Sequence, residues 1–230
     1  MELGAFYRRV ILFLGRRLHW SRSAVDNCLI LDTTILPKRG KSLENPTWMY
    51  DHGRGKTVKG YELLVMALLT PGNLFPLDFG FHFSKHALPG ARQSQLRRPP
   101  GYLARNLKAA QRTKIELSIQ RLTQALVQGI KATRLLVDAW FTSPKFCKAV
   151  RDLGLHVIGR LKADGTLYTH EGQTYNLRQL YRACRHLLTA VPEMGLRVLR
   201  GPVRCSNGPS GAIVLARGYR ESDLDPKSSG

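Results

Sequence analysis

Acidic residues are scarce in this chain: 16 Asp and Glu stand against 36 Lys and Arg, for a formal net charge of +20. Such an imbalance says nothing about fold. It is an argument about partners, and it points to polyanions, nucleic acid first, attracted through counterion release. Cysteine is also sparse. Cys28, Cys147, Cys184 and Cys205 lie far apart without a CxxC pair, which argues against a zinc site and against a disulfide framework. Free thiols in a reducing cytosol are the expectation. His52, His82, His86 and His156 show no zinc-like spacing and read as structural or surface residues. Long apolar runs are missing too, and none approaches the ~20 residues that span a bilayer. Val10 to Leu14 is too short for a signal-peptide core, and Arg16 and Arg17 follow where small residues would be needed. The expectation is a soluble, cytoplasmic protein with no membrane partner. Internal repeats and low-complexity tracts are absent.

What is present suits a globular chain: 230 residues, 43% of them hydrophobic, enough for one domain with a core. Residues 1–26 read as the end of a helix and a connector. Cys28-Leu29-Ile30-Leu31 is an apolar strand that stops at Asp32-Thr33-Thr34. Tyr61 to Leu69 and Leu74 to Phe81, broken by Pro71-Gly72-Asn73, read as two further strands and a turn. A long helix is expected between Tyr102 and Ile130, with Ile115, Ile119, Leu122, Leu126 and Ile130 along one face. Leu135-Leu136-Val137 then forms a strand ending at Asp138. Ser143 caps a helix with Pro144 at its first position, Gly154 ends it, and His156 to Leu161 resumes as a strand. Strand, helix and strand in so few residues make a βαβ unit. Beyond it, Tyr175 to His186 suits a basic helix. Leu196 to Cys205 and Ala212 to Arg217 suit a hairpin turned at Ser206-Asn207-Gly208.

Asp32 and Asp138 each close an apolar strand. Carboxylates at the ends of neighbouring strands can share a divalent cation such as Mg²⁺, which takes carboxylate oxygens and keeps waters for substrate phosphates. Two such ions stabilise the attacking and leaving oxygens of an in-line phosphoryl displacement. The plainer alternative stays open: an Asp after a strand is most often a turn former or a helix cap.

The segment Leu29 to Thr34, with Lys59-Gly60-Tyr61-Glu62 further on, resembles the first catalytic block of DDE transposases from bacterial insertion sequences. Leu136-Val137-Asp138-Ala139-Trp140-Phe141-Thr142-Ser143 resembles the second block, and the match runs from Cys28 to Lys162 in the right order. The group it most resembles is the IS-four type of cut-and-paste transposase. The resemblance implies an α/β, RNase H-like mixed sheet: three early strands, a long helix and the βαβ unit, over residues 27–165. A C-terminal β-rich insertion segment would occupy 166–230. It implies Mg²⁺, with Mn²⁺ able to substitute, held by Asp32 and Asp138 as two of the three catalytic carboxylates. It further implies cleavage and transfer of DNA strands at transposon ends, a homodimer in the full-length form, and a cytoplasmic, nucleoid-associated location when DNA is bound. Trp140 would sit near the site, steering a displaced base by stacking or packing beneath it.

One departure stands out. The group carries its third carboxylate in a Tyr-x-x-Arg-x-x-x-Glu-x-x-x-x-x-x-Lys pattern. Tyr175 and Arg178 fit its first half, but Arg182 occupies the Glu position. Tyr219 has Ser222 where Arg is needed, and Glu193 and Glu221 lack the right neighbours. The third carboxylate is therefore unassigned, and the expectation is a copy truncated before the glutamate helix. Among the basic residues, Lys38, Arg39, Arg54, Lys56, Lys59, Arg160 and Lys162 are the candidate DNA contacts. Lys85 to Arg134, with eleven Lys and Arg and only Glu116 acidic, is either a phosphate-tracking surface or an ordinary solvated face. Three functions compete: a metal-dependent DNA strand transferase, a catalytically inactive DNA-binding remnant of one, and a basic RNA-binding protein.

Overall fold

A computed structural model describes residues 9–15, 24–39, 46–51, 53–82, 112–161, 165–191, 193, 196–205 and 210–218. The chain divides into two compact units. The first comprises Met1–Phe141 and Ala149–Arg160, and the second Thr142–Lys148 and Leu161–Gly230.

In the first unit, residues 9–15 are helical (α1). Strands β1 (Cys28–Pro37), β2 (Thr47–Asp51), β3 (Lys56–Thr70) and β4 (Asn73–His82) follow as an antiparallel series. Helix α2 (Lys114–Val127) leads to β5 (Arg134–Val137), and helix α3 (Pro144–Asp152), whose residues up to Lys148 are assigned to the second unit, precedes β6 (His156–Gly159). The strand order is β2-β3-β1-β5-β6, with β4 also on β3. Because β1, β5 and β6 run parallel, the sheet is mixed. The expected three early strands are four. Thr47–Asp51 was not anticipated because it is a short edge strand whose exposed positions, Trp48 and Tyr50, are aromatic, which breaks the apolar-in, polar-out alternation.

Alternation along β1, β3 and β5 separates two faces. Leu29, Leu31, Leu64, Met66, Leu68, Leu135 and Val137 are buried on one of them. Helix α2 lies on this face and contributes Leu117, Leu122 and Ala125 to the core. Its buried side also holds Ser118, whose hydroxyl donates to the Lys114 carbonyl at 2.7 Å and so brings no unpaired group inside. Thr113 opens the helix with a capping box: its hydroxyl accepts from the Glu116 N–H, and the Glu116 carboxylate accepts from the Thr113 N–H. The stripe anticipated through Ile115, Ile119 and Leu126 is only half-buried. The helix is turned so that Lys114 and Arg121 reach carboxylates on the sheet: Lys114 pairs with Glu62, and Arg121 Nη1 meets Asp78 Oδ2 at 2.6 Å. Gly129, at φ 93°, ends the helix, with Ile130 N–H returning to the Ala125 carbonyl at 3.1 Å.

The start of the parallel pair is clamped from both sides. Asn27 Nδ2 donates to the Lys131 carbonyl at 2.8 Å, and Arg134 Nη1 donates to the Val25 carbonyl at 2.8 Å.

In the second unit, β7 (Leu167–His170) and β8 (Gln173–Asn176) form a hairpin, and α4 (Leu177–Cys184) follows with its own capping box at Asn176 and Gln179. A 3-10 turn (Arg185–Leu187), β9 (Thr189–Val191), β10 (Leu196–Cys205) and β11 (Ser210–Gly218) complete a sheet ordered β11-β10-β7-β8, with β9 on β10. Tyr168, Leu180 and Cys184 form its core, with Tyr175, Leu188 and Leu199 packed around them. Ser143 accepts the Phe146 N–H on its hydroxyl at 3.4 Å and the Cys147 N–H on its carbonyl at 3.0 Å, the cap anticipated for α3. No helix among the described residues is long and apolar enough to cross a membrane.

Candidate active site

The parallel register of β1 and β5 decides where the two aspartates stand. Leu31 pairs with Val137, so Asp32 and Asp138, each one residue further on, are neighbours across adjacent strands. Adjacent strands lie about 4.8 Å apart. Leu31 and Val137 point into the core, so both aspartates point to the opposite face, and both are exposed. Each carboxylate is steadied by a local backbone donor: Thr33 N–H to Asp32 Oδ1 at 2.7 Å, and Trp140 N–H to Asp138 Oδ1 at 3.0 Å. In each case one oxygen is engaged, and Oδ2 is the atom available for a further ligand.

The same register extends to β6. Val137 pairs with Gly159, which puts exposed Arg160 beside Asp138 where β5 and β6 end and β1 runs on. The carboxyl ends of parallel strands are where open α/β sheets commonly bind ligands. An anion approaching the aspartates through a bridging cation would meet a guanidinium on the same face.

Over residues 8–186 the chain matches the DDE superfamily endonuclease family. The chain belongs to that family. No curated protein matches this chain. Among solved structures, it is similar to the piggyBac transposase synaptic complex with hairpin DNA at 13% identity and TM-score 0.37, covering 88% of this chain and 36% of that one. The Drosophila P element transposase strand transfer complex follows at 12% identity and TM-score 0.21, covering 71% of this chain and 35% of that one. The Mos1 pre-cleavage transpososome follows at 15% identity and TM-score 0.19, covering 69% of this chain and 42% of that one. The chain thus spans about a third of the length of the first of these, 36%. At these low TM-scores none of them bears on the residue assignments.

Trp140 is 41% exposed and sits two residues past Asp138. Lys114 lies over its ring at 4.2 Å from the centroid, and Phe141, fully buried, meets it edge-on at 5.0 Å. Lys114 also pairs with Glu62, which His82 Nδ1 contacts at 2.8 Å. Burial pushes the Glu62 carboxyl up, but the hydrogen bonds and charges of His82 and Lys114 outweigh it, so its pKa lies below the ordinary glutamate value. Glu62 pairs with Ile35 in register and so lies on the core face, away from Asp32 and Asp138. This Glu62, His82 and Lys114 group was missed by sequence reasoning. The β3–β4 register sets Glu62 opposite His82, and the seating of α2 on the sheet adds Lys114.

The candidate DNA contacts divide. Lys59 lies on the face of Asp32, and the Lys38 N–H donates to the Lys59 carbonyl at 2.9 Å, extending the β1–β3 pairing by one row. Six residues separate Lys38 from Asp32, about 20 Å along the strand. Lys56 falls on the opposite face by alternation. Arg54 is held at the β2–β3 turn by Asp51 at 3.4 Å. Arg39 is exposed just past Lys38. Lys162 lies outside the described residues, as does most of the basic stretch that begins at Lys85.

Among the described residues no group of three or more His, Cys, Asp or Glu gathers in metal-binding fashion. Tyr175 ends in β8 while Arg178 and Arg182 ride on α4, and Glu193 is exposed. Tyr219, Glu221 and Ser222 lie outside the described residues.

Proposed function

We propose that this chain carries the catalytic domain, or part of it, of a DNA transposase of the bacterial insertion-sequence kind, with an RNase H-like core. In this reading it cuts and transfers strands at transposon ends. The observation that carries the reading is the register that sets Asp32 beside Asp138 on one exposed face. Membership of the DDE superfamily endonuclease family supports it, and so does the net charge of +20.

The donor set fits a hard divalent cation. Two carboxylates on adjacent strands supply oxygen ligands, and their exposure leaves room for the waters that Mg²⁺ retains. Asp32 and Asp138 would hold Mg²⁺ or Mn²⁺, which supplies charge stabilisation at the phosphodiester when bound. The chain's own contribution is orientation. The Thr33 and Trp140 amides fix the carboxylates, and Arg160 offers its charge to a phosphate oxygen. In this reading the chain acts in the cytoplasm, is nucleoid-associated when bound, and pairs as a homodimer in its full-length form.

Arg182, standing where the resembled group carries its third carboxylate, favours a second reading, a catalytically inactive DNA-binding remnant. The two part at metal-dependent nicking of supercoiled DNA.

The first test is calorimetric titration of Mn²⁺ into the protein, with Asp32→Ala and Asp138→Ala alongside. Binding that each substitution abolishes is the expected result. A folded protein that binds no metal, or binds it equally well in both variants, would overturn the assignment.

A further inference from the structure

The face that carries Asp32 and Asp138 continues past them along β1 and β3 and ends on an exposed edge strand. On β1 it runs through Thr34 and Leu36, and on β3 the partners of these two are Leu63 and Tyr61. One row further, Lys59 pairs with Trp48 of β2, and Lys38 lies on the other side of Lys59. Beyond that row Tyr50 pairs with Thr57. Directly opposed residues share a face and bring their Cβ atoms to about 5 Å. The result is a lateral row of two ammonium groups and one indole, with a phenol next to the indole on the same strand.

Trp48 is 70% exposed and Tyr50 53%, and neither belongs to the core. Exposed aromatics side by side on an edge strand invite aggregation and are retained at a cost. Their spacing is informative. Side chains two apart on a strand are about 7 Å apart, roughly one nucleotide of an extended single strand and too far for adjacent bases stacked in a duplex. In a duplex the base faces are already occupied by their neighbours. Two aromatic faces at this spacing, flanked by cations placed for phosphates, match the combination that binds unpaired strands.

We propose that β2 and the adjoining ends of β1 and β3 form a platform for single-stranded DNA. Trp48 and Tyr50 stack successive bases while Lys38 and Lys59 contact the intervening phosphates. The inference rests on the transposase reading, which supplies the source of an unpaired strand: DNA whose scissile phosphate lies at the aspartates, a few nucleotides from the platform. The sheet face is continuous between the two.

The test is fluorescence anisotropy in EDTA with a labelled oligothymidine and a duplex of equal length, using the native chain, Trp48→Ala, Trp48→Phe and Asp32→Ala. Circular dichroism checks that each variant folds. Trp48→Ala should weaken binding of the single strand about ten-fold or more, change duplex binding little, and be largely rescued in Trp48→Phe. Asp32→Ala, which removes a negative charge from the strand's path, should bind the single strand no more weakly than the native chain, so the platform can fail while the metal site stands, and the reverse. Unchanged single-strand affinity in Trp48→Ala would overturn the proposal. So would an equal loss for single strand and duplex, or a native chain whose self-association disappears with Trp48 while its DNA affinity does not.

Discussion

Replacing Gly80 with alanine should unfold this protein more readily, although the usual sign of such a change in a strand is the opposite. Gly80 lies on β4 opposite Leu64, on the core face. An alanine Cβ there would meet the Arg121 guanidinium, with Cζ at 2.8 Å and Nε at 2.9 Å. Arg121 cannot swing aside freely, because Nη1 is bound to Asp78 Oδ2 at 2.6 Å and the Asp78 side chain is wholly buried. Reduced unfolded-state entropy would favour alanine by about 0.4–1 kcal/mol. Displacing a buried ion pair's partner costs about 3–5 kcal/mol, so the net expectation is a loss of about 3 kcal/mol. With a denaturant slope of about 2 kcal/mol/M, the urea midpoint falls by roughly 1.5 M. Tryptophan fluorescence is the assay, because Trp48 and Trp140 belong to the first unit. In an Arg121→Met background the obstacle is gone, and Gly80→Ala should then cost under about 1 kcal/mol. A Gly80→Ala protein as stable as its parent, or the same loss in both backgrounds, would refute the reasoning.

Two smaller effects should accompany it. Thr113→Ala removes the hydroxyl that caps α2 and should cost about 1 kcal/mol, read as a lower urea midpoint; no change would mean the capping box is incidental. Glu62 has a folded pKa below its unfolded value, so its pairing with Lys114 and His82 stabilises above the ordinary glutamate range. That contribution should fade as pH falls from about 5 through the lowered pKa. A Glu62→Gln protein should lack this part of the acid dependence, and identical pH–stability curves would contradict it.

Much of the site's location was legible in the residues. Cys28 to Leu31 and Leu135 to Val137 are apolar runs that end on Asp, and both proved to be strand; β5 does end before Asp138, but β1 continues through Asp32 to Pro37, because its pairing with β3 carries the strand beyond the apolar run. Their adjacency was not legible, because nothing in a single strand announces which neighbour it pairs with or in what register. The Ser143 cap and the Gly154 stop around α3 were readable from local chemistry, and Gly154 does adopt φ 80°. The orientation of α2 was not. Its Lys114 and Arg121 read as surface charges until the sheet supplied Glu62 and Asp78, and periodicity cannot anticipate partners from another element. Trp48 and Tyr50 escaped notice for a related reason: aromatic side chains on a strand read as core, and these face outward.

The clamps at the start of the parallel pair carry a consequence for the timing of assembly. Asn27 reaches across 104 residues to Lys131, and Arg134 reaches across 109 to Val25. Closing so long a loop is slow and is rewarded only when the distant strand arrives. Until β5 docks, β1 displays a lone carboxylate. A half-synthesised or nicked chain with only the four antiparallel strands therefore cannot assemble the acidic pair. Whatever chemistry that pair performs is withheld until folding has joined β1 to β5.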